Sequence, residues 1–462
     1  MRKAFIVAGA VAGLVVPALP ATAYAQVGQV SPPPPGVVAS IPASNTPRLV
    51  ASQDNPVEQI RQLVQCGNTM YAVGNFTEIT KGSATYQREN VFSFEATAPY
   101  TVTSWAPDVV GTGTSKSSSN TVSTIAFNGN NCADAYIGGK FTSVNGTAVK
   151  NIAEISTSTG NVVTSFAHSA SSSVNTLLGV NGHILAGGYY TSINGSSADP
   201  YMTSLNPTTG KNDGFVHLNI SGNYQYPGVV TNSTRVFTQA LSHSGTLDLV
   251  MGDFTSVGGQ PRQQIFMLKV SGTQATVTGW TSTEFNGECA TVEPFYVQAA
   301  AWSAGDSQVY IATTGYRPFG DQQGSPRSGL CDAAAAFPST QLPVSHIWIN
   351  YSGCDSLFAA AGDANAAYFG GHERWANNSN GCDAQGPGAL PAPGMAGLRP
   401  SDGALYVNAA GTAGYYSRSR GYGADDMLVT SAGLWVASDN EYAAQNCGGV
   451  SGHSGICFLP YN

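Results

Sequence analysis

Short runs in which apolar and polar residues alternate recur along this chain, separated by Gly, Asn and Ser. TVSTIAF (residues 121–127), SVNTLLGV (173–180), YVQAAAW (296–302) and DDMLVTS (425–431) have a period near two, which gives an extended segment one inner and one outer face. A second kind of run carries glycine and then an aromatic: YAVGNFTEI (71–79), AYIGGKFTSVNG (135–146), LAGGYYTSING (185–195) and LVMGDFTSVGG (249–259). A third follows the turn, as NIAEIS (151–156), YMTSLN (201–206) and IFMLKV (265–270). A fourth ends on Trp105, Phe166, Phe215, Trp280 or Trp348. Each unit therefore predicts four short antiparallel strands.

The units can be counted from the aromatic of the second run. Phe141 corresponds to Phe76, Tyr190 and Phe254, and in weaker copies to Gly315, Glu373 and Asn440. The spacing, (440 − 76)/6, is about 61 residues, slightly longer than a kelch-type unit. Seven units of four strands predict an all-β, seven-bladed β-propeller over residues 36–462, its repeats running from about 56 to 462. Stacked sandwiches would need linkers, and no such composition shift occurs in that span. The last unit has only three strands, so residues 36–50 are expected to supply its outer strand and close the ring. Within the repeat, Gly74, Gly138, Gly139, Gly187, Gly188 and Gly252 are read as sites of close backbone approach or bulging. Phe76, Phe141, Tyr190 and Phe254 are read as packing anchors, and Asn145-Gly146, Asn194-Gly195 and Gly258-Gly259 as turns.

The segment YIGGKFTSVNGTAVKNIAEISTSTGNVVTSF (136–166) resembles the delta-sixty repeat of secreted bacterial propellers, and more distantly kelch and galactose-oxidase-like blades. The resemblance covers about half of the chain. It implies the fold and export but no particular activity, because that family has no general one.

The first 25 residues read as a secretory signal peptide: Arg2 and Lys3, an apolar run from Ala4 to Val16, then Ala23-Tyr24-Ala25. Residues 26–35, with Pro32 to Pro35, read as a proline-rich spacer. The mature chain then carries 17 basic and 27 acidic residues, a balance of 17 − 27 = −10. Without a basic cluster, nucleic acid and anionic membrane are excluded as partners, and no later segment spans a bilayer. An extracellular glycan or protein is the expected partner of a secreted or envelope-associated monomer. Eight cysteines, Cys66, Cys132, Cys289, Cys331, Cys354, Cys382, Cys447 and Cys457, allow as many as four disulfides, and no C-x-x-C pair is present. Cys66 and Cys132 precede matching strands of successive repeats, and Cys447 and Cys457 flank one turn.

No nucleophile elbow, phosphate loop, dinucleotide fingerprint or metal-ligand histidine spacing occurs. No cofactor is required by any motif, although Asp- and Asn-rich loops offer oxygens suited to Ca2+. Chemistry is sought where the repeat breaks. The sixth unit has GGHERWANNSNGCDAQ (370–385), followed by RSRGYGADD (418–426) and SDNEY (438–442). In a propeller these loops share one face. They gather Arg374, Trp375, Arg420, Tyr422, Asp439 and Tyr442 as expected ligand-binding residues, with Glu441 nearby. Aromatic faces flanked by carboxylates suit sugar rings. The function expected is a binding or scaffolding module. The alternatives are a purely structural envelope protein and a carbohydrate-active enzyme. In the enzyme, Glu373, Asp425 and Asp426 would serve as acid and base of a glycoside hydrolase, or His372 as the base of a polysaccharide lyase.

Overall fold

A computed structural model describes residues 28–31, 33–50, 58–112, 120–224, 233–286, 289, 295–315, 330–340, 342–407, 423–440, 446–447, 450–451 and 453–462. The expected signal peptide, Arg420, Tyr422, Glu441 and Tyr442 lie outside the described residues, as does the side chain of Cys447. The chain is all-β. The only helical turn described is the 3₁₀ turn Thr283–Asn286.

Among the described residues, seven antiparallel meanders follow one another, their strands lettered a to d from the inside outward. Their a and b strands are Gln59–Cys66 and Thr69–Asn75, Thr121–Asn128 and Asn131–Lys140, Val174–Val180 and His183–Gly188, and Arg235–Leu241 and Leu247–Asp253. Sheets five to seven continue with Val297–Trp302 and Gln308–Thr313, Leu357–Gly362 and Ala367–Gly371, and Ala424–Thr430 and Gly433–Ser438. Each a strand neighbours the a strand of the next sheet, and Ala424–Thr430 neighbours Gln59–Cys66 in turn. No single sheet closes on itself. The architecture is propeller-like, with sheets rather than strands as the repeated layer.

The core is correspondingly divided. Seven apolar clusters lie one between each pair of neighbouring sheets, and that of Ile60, Phe92, Trp435 and Phe458 joins the seventh sheet to the first. Phe76, Phe141, Tyr190 and Phe254 are fully buried in these seams. Three d-segment tryptophans reach into the next sheet: Trp105 Nε1 donates to Ser156 O, Trp280 Nε1 to Pro338 O and Trp348 Nε1 to Pro400 O, at 2.9–3.1 Å.

Every a strand has a β-bulge at the same place. In sheet one Ile60 faces Gly74 and Gln62 faces Val73, leaving Arg61 as the extra residue. Ser123, Asn175, Phe237, Gln298, Phe358 and Asp425 are the extra residues of the other six. The glycine pair serves this geometry in two ways. A methyl carbon on Gly139 would lie 2.2 Å from Thr121 O in its own sheet; the same contact would be 1.9 Å at Gly74, 2.3 Å at Gly188, 2.2 Å at Gly252 and 2.4 Å at Gly371. A methyl on the preceding glycine would instead strike the next sheet: Gly138 and Gly187 sit 2.7 Å from Val174 Cγ1 and Val236 Cγ1 by this measure. The second glycine thus admits the bulge and the first admits the neighbouring sheet. Thr313 and Ser438 hold the second position in sheets five and seven; a real Cβ there requires the facing carbonyl to stand farther off.

The N-terminal residues run along the outer edges of three sheets. Gln29–Val30 pairs in parallel with Leu405–Tyr406 of sheet six, so part of the expected spacer is docked rather than free. Ala39 N and Ala43 N donate to Pro460 O and Phe458 O of sheet seven, at 2.7 and 2.8 Å. Arg48 pairs with Thr80 beside sheet one. His453 is buried under this segment, its Nε2 2.7 Å from Thr46 Oγ1. Disulfides Cys66–Cys132, Cys289–Cys331 and Cys354–Cys382 are formed, and Cys457 is disulfide-bonded as well. The first joins sheets one and two.

Replacing Gly139 by Ala should cost about 2–4 kcal/mol, because the clash is with backbone and cannot be relieved by a rotamer. Gly146→Ala, at φ 75° with open space around it, should cost only about 1–2 kcal/mol. Denaturant titration of the two variants checks the order; equal losses would contradict the close-approach role.

Candidate functional site

The seven a strands surround a channel of about 950 Å3. At its mouth, where the a strands begin, the bulges turn one extra side chain per sheet into the opening: Arg61, Ser123, Asn175, Phe237, Gln298, Phe358 and Asp425. A bulge puts two consecutive residues on one side, so Gln62, Thr124, Thr176, Thr238, Ala299, Ala359 and Asp426 line the channel as well. Several of these satisfy the free inner edge of a neighbouring a strand. Gln62 Oε1 accepts from Ile125 N at 2.7 Å, Thr124 Oγ1 from Leu177 N at 3.0 Å and Asp426 Oδ2 from Leu63 N at 2.9 Å. The wall is uneven: amide, hydroxyl and charged groups on sheets one to four, alanines 299–301 and 359–361 on sheets five and six.

The described residues of the charged loops singled out from the sequence take several different places. Asp425 lies at the mouth, 3.8 Å from Arg61 across the seam between sheets seven and one. Asp426 is its neighbour in the channel, and burial raises its carboxyl to about 6 against the opposing pull of the Leu63 amide. His372 stands edge-on to the bulge residue Phe358, ring centroids 4.8 Å apart. Glu373 takes the place held elsewhere by the packing aromatic and is buried. Arg374 is held by Asp355 through Nε at 2.8 Å and Nη2 at 2.7 Å, reaches Asp383 at 3.0 Å and lies over the Trp375 ring at 4.4 Å. Those carboxylates raise its pKa further. With Cys354–Cys382 and the pairing of Trp375–Ala376 with Leu390–Pro391, this fastens the long loop. Asp439 is buried, accepts from Gly423 N at 3.1 Å and bridges to Gln59 of sheet one; it belongs to the seam.

A second polar group, packed behind the channel-lining Tyr189 and Phe237, was not singled out from the sequence. Arg235, the first residue of its a strand, lies over the rings of Tyr189, Phe237 and Tyr296 at 4.8, 4.7 and 5.6 Å. Its Nη1 donates to Tyr189 Oη. Asp253 stands opposite Arg235 in the strand register, fully buried, with Oδ1 accepting from Tyr224 N at 2.6 Å. Burial raises the pKa of Asp253, of Tyr189 and of Tyr296. The repeat itself carried the signal: Tyr189 and Asp253 each directly follow the glycine that admits the bulge, Gly188 or Gly252, and Phe237 is the bulge position. Among the described residues no group of three or more His, Cys, Asp and Glu is placed to hold a metal ion, and no helix is long and apolar enough to cross a membrane.

No family model and no curated protein matches the chain. Solved structures similar to it include the WD40 β-propeller domain of Doa1, at 10% identity over 85% of this chain and 94% of that one, with a TM-score of 0.41. The computationally designed Ika8 protein is similar at 9% identity, 89% and 98% coverage and TM-score 0.44. Kuenenia stuttgartiensis hydrazine synthase is similar at 9%, 69% and 75%, with 0.38. All three scores are below 0.5, and the propeller-like architecture rests on this chain's own strand pairing.

A carboxyl raised to about 6 binds a proton in the folded chain that the unfolded chain, near 4, releases. Its contribution to stability therefore falls as pH rises from 4 to 6. Asp426→Asn keeps an acceptor for Leu63 N and should stabilise the protein at pH 7.5 by on the order of 1–2 kcal/mol, with little effect at pH 4.5. Glu154, raised to about 7 mainly by burial, and His453, lowered to about 4 mainly by burial, titrate in both proteins and cancel in the difference. A difference between wild type and variant that does not change with pH would contradict the assignment.

Proposed function

We propose that the chain is an exported, seven-bladed β-propeller with delta-sixty-type repeats that binds an extracellular glycan at the mouth of its channel. The observation that carries this reading is the ring of bulges. The backbone device recurs in all seven sheets, whereas it presents six different residue types, only phenylalanine occurring twice: Arg61, Ser123, Asn175, Phe237, Gln298, Phe358, Asp425. A packing requirement would repeat its residue type, as the buried aromatics do. A repeated backbone bearing unlike polar and aromatic groups suits a site grafted onto a scaffold. Aromatic rings beside amides and opposed charges match a sugar, with its apolar C–H face and hydroxyl rim.

Disulfides support export. Residues 36–50 act as the closing strand of the last blade, since they bury Val37, Val38 and Leu49 and cover an outer edge that would otherwise be open.

A glycan array and a polysaccharide-degradation screen of the mature protein test the function, run beside Phe237→Ala and Asp425→Ala. Binding to at least one glycan class is expected, weakened about tenfold in either variant; release of reducing ends would turn the reading toward an enzyme. Identical profiles for all three proteins would place the ligand elsewhere. Deleting residues 36–50 should lower the melting temperature by about 10 °C or more, and an unchanged melt would remove the closing-strand role.

A further inference from the structure

The charges that line the channel toward its mouth, Arg61, Lys140, Asp425 and Asp426, are not equally available. The two acids are engaged. Asp425 lies beside Arg61 with its side chain only 10% exposed, and Asp426 Oδ2 accepts from Leu63 N at 2.9 Å. The two cations are open. The Arg61 side chain is 42% exposed, and its one polar contact among the described residues is the 3.8 Å approach of Nη1 to Asp425. Lys140 is exposed and has no hydrogen bond or ion pair among the described residues.

Neither cation is set by the repeat. Arg61 is the bulge residue of sheet one, in the place of Ser123 and Asn175. Lys140 directly follows the glycine that admits the bulge, where sheets one, three and four have Asn75, Tyr189 and Asp253. The two stand on adjacent sheets at one side of the opening. Lys140 pairs with Thr121, where the a strand of sheet two begins, and Gln62, next to Arg61, reaches Ile125 N of that strand at 2.7 Å. Ser123 and Asn175 line the wall beside them, and Phe237 lies further round on sheet four.

Open cations at the mouth are not a by-product of composition, since the chain carries a formal net charge of −8. That net charge is screened beyond about 8 Å at physiological salt, so a ligand in the opening responds first to the groups that line it. A neutral sugar would leave both cations to water. An anionic one exchanges their hydration for charge-assisted hydrogen bonds, the stronger kind. The guanidinium fork of Arg61 matches the planar carboxylate of a uronate. A uronate chain carries an acid group on each ring, so Arg61 and Lys140 need not meet the same one.

We propose that the mouth takes an acidic glycan, a chain of uronate residues whose carboxylates are met by Arg61 and Lys140 while a ring face lies on Phe237. This rests on the glycan-binding reading above and names its substrate class.

The test is calorimetric titration of the mature protein with hexagalacturonate, hexaguluronate and a hyaluronan hexasaccharide. The neutral comparators are fully methyl-esterified hexagalacturonate, cellohexaose and xylohexaose. Wild type is expected to bind at least one acidic oligomer about tenfold or more tighter than any neutral one. Its affinity should fall as salt is raised from about 50 to about 300 mM. Arg61→Gln and Lys140→Gln should each weaken binding about fivefold and flatten the salt dependence, which a merely structural role would not do. Phe237→Ala should weaken binding with the salt dependence kept, and Lys269→Gln, away from the channel, should bind as wild type. Should Arg61→Gln loosen the seam with Asp425, Lys140→Gln decides alone, because Lys140 has no contact of this kind to lose. Neutral oligomers bound as tightly as acidic ones would overturn the acidic class and spare the glycan reading. Acidic oligomers bound equally by wild type and both glutamine variants would place their carboxylates elsewhere and overturn the assignment. No binding to any of the six would also overturn it, and the glycan array then decides the reading beneath.

Discussion

In five of the seven sheets, a carbonyl oxygen of the innermost strand occupies the space where the next strand would carry a Cβ. Gln59 O, Thr121 O, Ser173 O, Arg235 O and Ser356 O all lie about 2 Å from that position, a contact open only to glycine. The bulge in each a strand goes with this approach. From the bulge follow the two consecutive channel-facing residues, the side-chain links from one a strand to the next, and the composition of the mouth. The neighbouring glycine lets the next sheet come equally close, which brings the sheets near enough to share one apolar cluster per seam.

Much of the fold was legible because the repeat is a packing device. The alternation located the a strands, the glycine pair the b strands, and Phe76, Phe141, Tyr190 and Phe254 the seams. Asn145 and Gly146 have the positive φ values, 47° and 75°, that their turn demands. Cys66 and Cys132 meet because they hold comparable places in adjacent sheets. The docking of Gln29–Val30 on sheet six was not legible, since a proline-rich tract has no periodicity to betray an edge pairing.

The candidate site was legible only in part, for a physical reason. A strict period of two assigns alternate residues of an a strand to opposite faces. The bulge breaks that parity, so Arg61 and Gln62, or Phe237 and Thr238, face the channel together. The unusual loop of sheet six holds Arg374 in a cage of Asp355, Asp383 and Trp375 that fastens the loop. Asp439 and Asn440 stitch sheet seven to sheet one. Asp425 was singled out from a loop and belongs to the mouth because it is a bulge residue.

The mouth is therefore a set of seven side chains of six kinds carried by seven like backbones. Hydrogen–deuterium exchange of the mature protein, with and without a bound oligosaccharide, tests that most directly. Protection is predicted in peptides that begin the a strands, around residues 59–63, 235–239 and 296–300, with the outer d segments unchanged. Protection confined to the peripheral hairpins at 78–87 and 143–148, with the a strands unaffected, would contradict it.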